Sequence, residues 1–228
     1  MRIKNLICNE FRFLLKYGII ALYGIFTAVY LCLIAAIPNS IKEITAAILV
    51  FTDPTAMGLF FMGAIVLLEK SQRVESSLCV SPIKISEYIF AKIIPLMVVG
   101  TVVSLIICLF AGMKNVPIIL IGVALSSVLF SMCGLFVGSK IQTLNSFLIA
   151  TVPLEMILFL PAILYLFGFL KSEFWIIHPG VAAIKLIYGH DKYWYMAFLL
   201  LIIWQIPAYI ICKKAVTKSF SMMGGAKL

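Results

Sequence analysis

LLEKSQRVESSLCVSPIKISEYIFAK, residues 67–92, is the internal stretch in which charge gathers. Glu69, Lys70, Arg73, Glu75, Lys84, Glu87 and Lys92 fall there between two long apolar runs. The 228-residue chain around it is 64% hydrophobic and only 12% charged, and its mean hydropathy is +1.16. A soluble core of this length needs far more polar surface, so the composition is that of a polytopic helical membrane protein. A transmembrane barrel is excluded because its strands alternate apolar and polar residues, whereas these runs are apolar on every face.

Crossing about 30 Å of hydrocarbon takes about 20 apolar residues. Six segments qualify: 17–37, 44–69, 88–111, 116–138, 146–170 and 194–212. The second is interrupted by FTDPTAMG, residues 51–58. The expected organisation is one transmembrane domain, 1–228, with an elbow helix at 1–16, a cytoplasmic segment at 71–87 and an extracellular segment at 171–193. No cleavable signal peptide is expected, since the first sixteen residues are too polar for an apolar signal core.

Cytoplasmic loops hold excess Lys and Arg, and this sets the orientation. With the amino terminus inside, thirteen basic residues fall on the inner side and five on the outer. Both termini and the stretch 67–92 are then cytoplasmic. The net charge of +9 needs no nucleic acid, because the positive-inside bias and anionic inner-leaflet lipid account for it. Cys8, Cys32, Cys79, Cys108, Cys133 and Cys212 lack metal-ligand spacing, so neither a metal site nor a disulfide framework is expected.

MRIKNLICNEFRFLLK opens the chain with a polar stripe of Arg2, Asn5, Asn9, Arg12 and Lys16. Ile3, Ile7, Phe11 and Leu14 oppose it, as in a basic amphipathic helix lying in the membrane interface. In the charged stretch, Glu69 and Lys70 end the second span. Residues 71–80 can form a short helix that Pro82 stops, with Val74 and Leu78 as a small apolar face. A helix this short is unstable alone and is expected to dock on something; the plain alternative is a solvated loop.

The pattern E-K-x-x-R-V-x-x-x-L-x-V-S-P-x-x-x-x-E-Y-x-x-x-K, Glu69 to Lys92, resembles the signature after the second span of ABC type-2 permeases, the membrane subunits of exporters with the type V fold. Glu69, Lys70, Leu78, Ser81, Pro82, Glu87 and Lys92 match it; many members have Gly-Thr where this chain has Arg73-Val74. FTDPTAMGLFFMGAIVLLEK is similar to small bacterial permeases for fluoroquinolone or peptide-antibiotic export. FWIIHPGVAAIKLIYGH is similar to the family's re-entrant helices before the last span.

The resemblance implies an all-α polytopic membrane protein with an elbow helix, six transmembrane helices, a cytoplasmic coupling helix and a re-entrant segment. It implies that Glu69, Lys70, Arg73, Val74, Leu78, Ser81, Pro82 and Glu87 couple the spans to a nucleotide-binding ATPase subunit. A second permease subunit and the bacterial cytoplasmic membrane are implied as well. The chain has no G-x-x-x-x-G-K-[ST] loop, so it binds no cofactor itself; ATP and Mg belong to the partner. It is a transport subunit and not an enzyme: neither a Ser/His or Cys/His pair nor a G-x-S-x-G elbow supports hydrolysis.

Ionisable groups inside a membrane are costly and point to function. Asp53 lies about 24 Å above Glu69 along a helix. Thr52-Asp53-Pro54 reads as a helix start with Asp53 as the cap; contact with substrate is the other reading. Glu155, between Pro153 and Pro161, either faces a transport pathway and attracts cations or is buried with a proton or a hydrogen-bonding partner. Gly134 and Gly138 form a small-xxx-small face suited to close helix packing. His178 before Pro179 reads as structural. The competing class is an ATP-independent secondary carrier or a small membrane immunity protein, but repeat symmetry and paired midplane charges, marks of a carrier, are absent.

Overall fold

The computed structural model describes residues 2–72, 83–170, 172–188 and 194–224, without the side chains of Arg2 and residues 222–224. Helix α1 is Arg2–Lys16, α2 is Ile19–Ala36 and α3 is Asn39–Val50. A π-helical turn, Phe51–Thr55, joins α3 to α4, Met57–Ser71. Then come α5, Ile85–Ala111; α6, Val116–Lys140; α7, Leu144–Leu166; a 3-10 turn, Glu173–Ile177; α8, Pro179–Tyr188; and α9, Trp194–Gly224. Six helical segments are long and apolar enough to span a membrane, and the described residues contain no strand. The protein is an all-α polytopic membrane protein.

The second span overturns one expectation. FTDPT does not start a helix: the helix runs unbroken from Asn39 to Ser71, and Asp53 caps nothing. A proline inside a helix removes one backbone hydrogen bond. The π turn absorbs that defect, and the Thr55 hydroxyl donates to the Val50 carbonyl at 2.9 Å. Phe51 from this turn, Phe130 from α6 and Phe159 from α7 pack with ring centroids 5.0–6.2 Å apart, which pins the turn inside the bundle.

The fourth span sits at the centre, and its glycines decide how close its neighbours come. A Cβ on Gly134 would lie 2.2 Å from the Leu59 carbonyl, and one on Gly58 would lie 2.4 Å from Ser131 Oγ. Gly138 meets Gly63. The expected small-residue face therefore exists, and it is answered by a matching face on α4. Without a hydrophobic drive between helices in lipid, this close approach supplies the dispersion contacts that hold the pair.

Helix α8 is buried from Pro179 to Ile187 and packs among α3, α6, α7 and α9. A Cβ on Gly180 would strike the Leu158 carbonyl, eight residues inside the end of α7, so the chain folds back to the depth of the spans. The last helix differs from the expected span of 194–212 by continuing to Gly224. Lys213 and Lys214 mark the end of the apolar run, but Cys212, Val216 and Phe220 keep an i, i+4 stripe that packs beneath Tyr88 and Leu135. That packing, and not the hydropathy, carries the helix onward.

Candidate functional site

One end of the bundle gathers α1, the C-terminal ends of α4, α6 and α9, and the N-terminal end of α5. Its centre is a buried ion cluster. Lys92 Nζ lies 2.9 Å from Glu10 Oε1 and 2.5 Å from Glu69 Oε1, and its side chain is 1% exposed. The Tyr88 hydroxyl donates to Glu69 Oε2 at 3.1 Å, and the Lys92 ammonium lies 5.1 Å from the Tyr88 ring centroid. The cation of α5 thus ties α1 and α4 together. Burial pushes the Glu10 carboxyl above its ordinary range, against the opposing pull of Lys92.

Lys70 turns the other way. Its ammonium donates to the carbonyls of Gly138, Ser139 and Ile141 at 2.8–3.0 Å, so the end of α4 caps the end of α6. A cation at a helix C-terminus is favoured by the macrodipole as well. Gln72 Nε2 donates to the Tyr17 hydroxyl at 2.8 Å, between the α1–α2 junction and the end of α4. Glu87 accepts from the Lys84 backbone N–H at 3.0 Å and so caps α5 locally. Among the predicted coupling residues, Glu69, Lys70 and Glu87 are therefore engaged within the chain. Arg73, Val74, Leu78, Ser81 and Pro82 lie outside the described residues.

Glu155 occupies a different setting. With Thr52, Phe60, Val152, Met156 and Phe159 it lines an apolar groove of about 300 Å³ between the second and fifth spans. Its Oε1 is buried and has no hydrogen-bond partner among the described residues. A cation at that carboxylate would gain charge pairing in a low dielectric, and the groove would cover its apolar body. Asp53 does not join Glu155. The Tyr30 hydroxyl of α2 bonds to one of its oxygens, while Oδ2 has no partner among the described residues. Of the two acids offered as pathway residues, Glu155 lines this groove and Asp53 is not among its lining residues.

His178 sits at the start of α8, bonded through its ring to the Ile157 backbone, and burial holds it below its usual pKa. That is a structural role for His178. The described residues include no group of three or more His, Cys, Asp or Glu able to hold a metal ion. Sequence reasoning missed Glu10, whose carboxylate completes the cluster. Two signals could have found it. It is the only acid in the opening helix, and a lysine embedded in YIFAKIIPL requires a buried partner.

No family model matches the chain. Over 141 residues it is 23% identical to proteins named fluoroquinolones export permease protein from two strains of Mycobacterium tuberculosis, CDC 1551 / Oshkosh and ATCC 25618 / H37Rv. The aligned region covers 60% of this chain and spans 59% of the length of these relatives.

Proposed function

We propose that the chain is the membrane-spanning permease subunit of an ATP-driven bacterial exporter of the ABC type-2 class, moving an amphipathic drug, antibiotic or peptide out of the cell. Hydrolysis of ATP with Mg takes place on a separate ATPase subunit, and two permease chains, identical or related, form the pathway. The similarity to proteins named as export permeases supports the transport role. The positive-inside bias supports cytoplasmic termini and a cytoplasmic segment at 71–87.

The observation that carries the reading is how the polar segment is held. At its start, Glu69, Lys70 and Gln72 are tied to α5, α6 and the α1–α2 junction. At its end, Tyr88 and Lys92 are tied back to α4 and α1. A segment anchored this way cannot be displaced without moving two spans and the interfacial helix. ATPase closure against it is thereby converted into helix motion. Glu69 and Lys70 act in this reading as anchors, and Arg73, Val74, Leu78, Ser81 and Pro82 meet the partner.

The test pairs a tagged chain with the ATPase that copurifies with it, reconstituted in vesicles. Arg73→Glu and Leu78→Asp should leave insertion intact and uncouple ATP hydrolysis from export. Normal coupling in both variants would refute docking at this segment. Export driven by an ion gradient with no ATPase present would favour a secondary carrier instead.

A further inference from the structure

The first span is held to the bundle by one stripe. Of the residues of α2, Tyr23, Thr27 and Ile34 are buried. Beside that stripe a groove of about 540 Å³ runs between α2 and α5, with Phe11 of α1 at one end. Every residue that lines it lies inside α1, α2 or α5.

Side-chain size builds the groove. Gly24 and Ala28, one turn apart on α2, are exposed, and a Cβ on Gly24 would meet nothing within 4 Å. Across from them Val98, Val102 and Ile106 of α5 are 37%, 51% and 41% exposed at i, i+4 and i+8. Branched side chains of this kind have few rotamers, so that wall is stiff. Its polar residues are engaged elsewhere. Thr27 donates its hydroxyl to the Tyr23 carbonyl at 2.7 Å, and the Tyr23 ring packs on Phe61 with centroids 5.4 Å apart.

Dimensions decide what fits. From Ile20 to Leu31 the groove follows α2 for roughly 16 Å, at 1.5 Å per residue. One leaflet of a hydrocarbon core about 30 Å thick is about 15 Å deep. The volume spread over that length gives a channel roughly 6 Å across, whereas a helix with its side chains is about 10–12 Å wide. A helix of a second copy is too thick for it, and one extended hydrocarbon chain is not. The end at Phe11 adds a polar partner. Arg12 and Lys16, one turn apart on α1, are exposed, and the one acid of that helix, Glu10, is bound to Lys92. Their charge is complementary to a phosphate at the membrane surface. We propose that the groove holds one acyl chain of a phospholipid whose phosphate sits at Arg12 and Lys16. The lipid serves as a packing partner of the first span and ties it to α1 and α5.

Binding needs no ATPase, so the test uses the purified full chain in neutral detergent, and its failure would leave the export reading untouched. Native mass spectrometry and thermal unfolding are measured with dioleoyl-phosphatidylglycerol and with dioleoylglycerol, which has the same chains and no phosphate. Wild type should retain phosphatidylglycerol and unfold at a higher midpoint with it; dioleoylglycerol should be retained more weakly. Gly24→Leu with Ala28→Leu fills the groove and should lower phosphatidylglycerol retention roughly tenfold or more, with no loss in the lipid-free midpoint. Ala36→Leu, at the exposed end of α2 outside the groove, should leave retention unchanged. If the double variant folds poorly, Gly24→Leu alone should show an intermediate loss. Arg12→Gln with Lys16→Gln should reduce the preference for phosphatidylglycerol over dioleoylglycerol. Wild-type retention in the groove variants would overturn the proposal, and so would a wild-type dimer that these variants dissociate with no lipid bound. Equal retention of phosphatidylglycerol and dioleoylglycerol by wild type would overturn the phosphate assignment.

Discussion

Glu69 and Glu155 are the same side chain in two spans of one bundle, and their surroundings differ completely. Glu69 is 4% exposed, paired with Lys92 and hydrogen-bonded by Tyr88. Glu155 borders an open apolar groove, and its buried Oε1 has no hydrogen-bond partner among the described residues. A satisfied buried charge fixes the relative positions of the elements that share it, and removing one partner is costly. A buried acid oxygen without a partner beside a groove is costly to retain, and an ionisable residue inside a membrane is a functional hypothesis by default. The comparison assigns architecture to the first glutamate and leaves the second as a proposed pathway residue.

The hardest test of this contrast is Lys92→Met. It leaves Glu69 buried and Glu10 half-buried around a vanished cation, and a loss of about 3–5 kcal/mol is expected. Yield and thermal unfolding in detergent measure it. The triple variant Glu10→Gln, Glu69→Gln, Lys92→Met should recover part of the loss, since neutralising the whole cluster costs less than breaking it. A Lys92→Met protein as stable as wild type would end the architectural reading of the cluster.

Gly134→Val comes next. Its Cβ would meet the Leu59 carbonyl, which is backbone and cannot swing aside, so roughly 1–3 kcal/mol or more is expected from overpacking. Because α4 carries Glu69 and Lys70 at its end, this variant should also weaken the cluster. Protease sensitivity near residues 72–84, compared with that of the loop at 112–115, reports whether it does.

The same substitution at the two glutamates should then act with opposite signs. Glu69→Gln should lower the unfolding free energy by about 1.5–3 kcal/mol, the range for hydrogen bonds to charged groups. Glu155→Gln should leave stability unchanged or slightly raise it, while export of cationic compounds falls and that of neutral ones persists. A destabilised Glu155→Gln variant with unaltered substrate preference would make Glu155 a packing residue and erase the distinction.

The smallest effect is expected at His178, which lies between the two extremes, with one ring nitrogen bonded and Nδ1 without a partner among the described residues. Burial lowers its folded-state pKa below 6.5, so the folded protein binds fewer protons than the unfolded chain in the window just under that value. The stability associated with neutral His178 is therefore present above pH 6.5 and declines as pH falls toward the depressed folded pKa. Unfolding midpoints for wild type and His178→Asn across that window should converge at low pH. Parallel curves would show that His178 does not titrate on unfolding.

Hydropathy patterning in the sequence alone determined the membrane class, the six spans and the amphipathic opening helix, because lipid forces long apolar helices. It also exposed the polar segment at 67–92 and the glycine face on the fourth span, both local patterns. Tertiary structure decided the rest. Whether Pro54 breaks a helix depends on what packs around it; Phe130 and Phe159 close on the π turn, and the helix continues. Where the last helix stops depends on a stripe buried by other helices. Which acids are paired depends on residues 23 and 82 positions apart, as in Lys92 with Glu69 and Glu10. Periodicity describes one helix at a time. Pairing is a property of several, and only their packing fixes it.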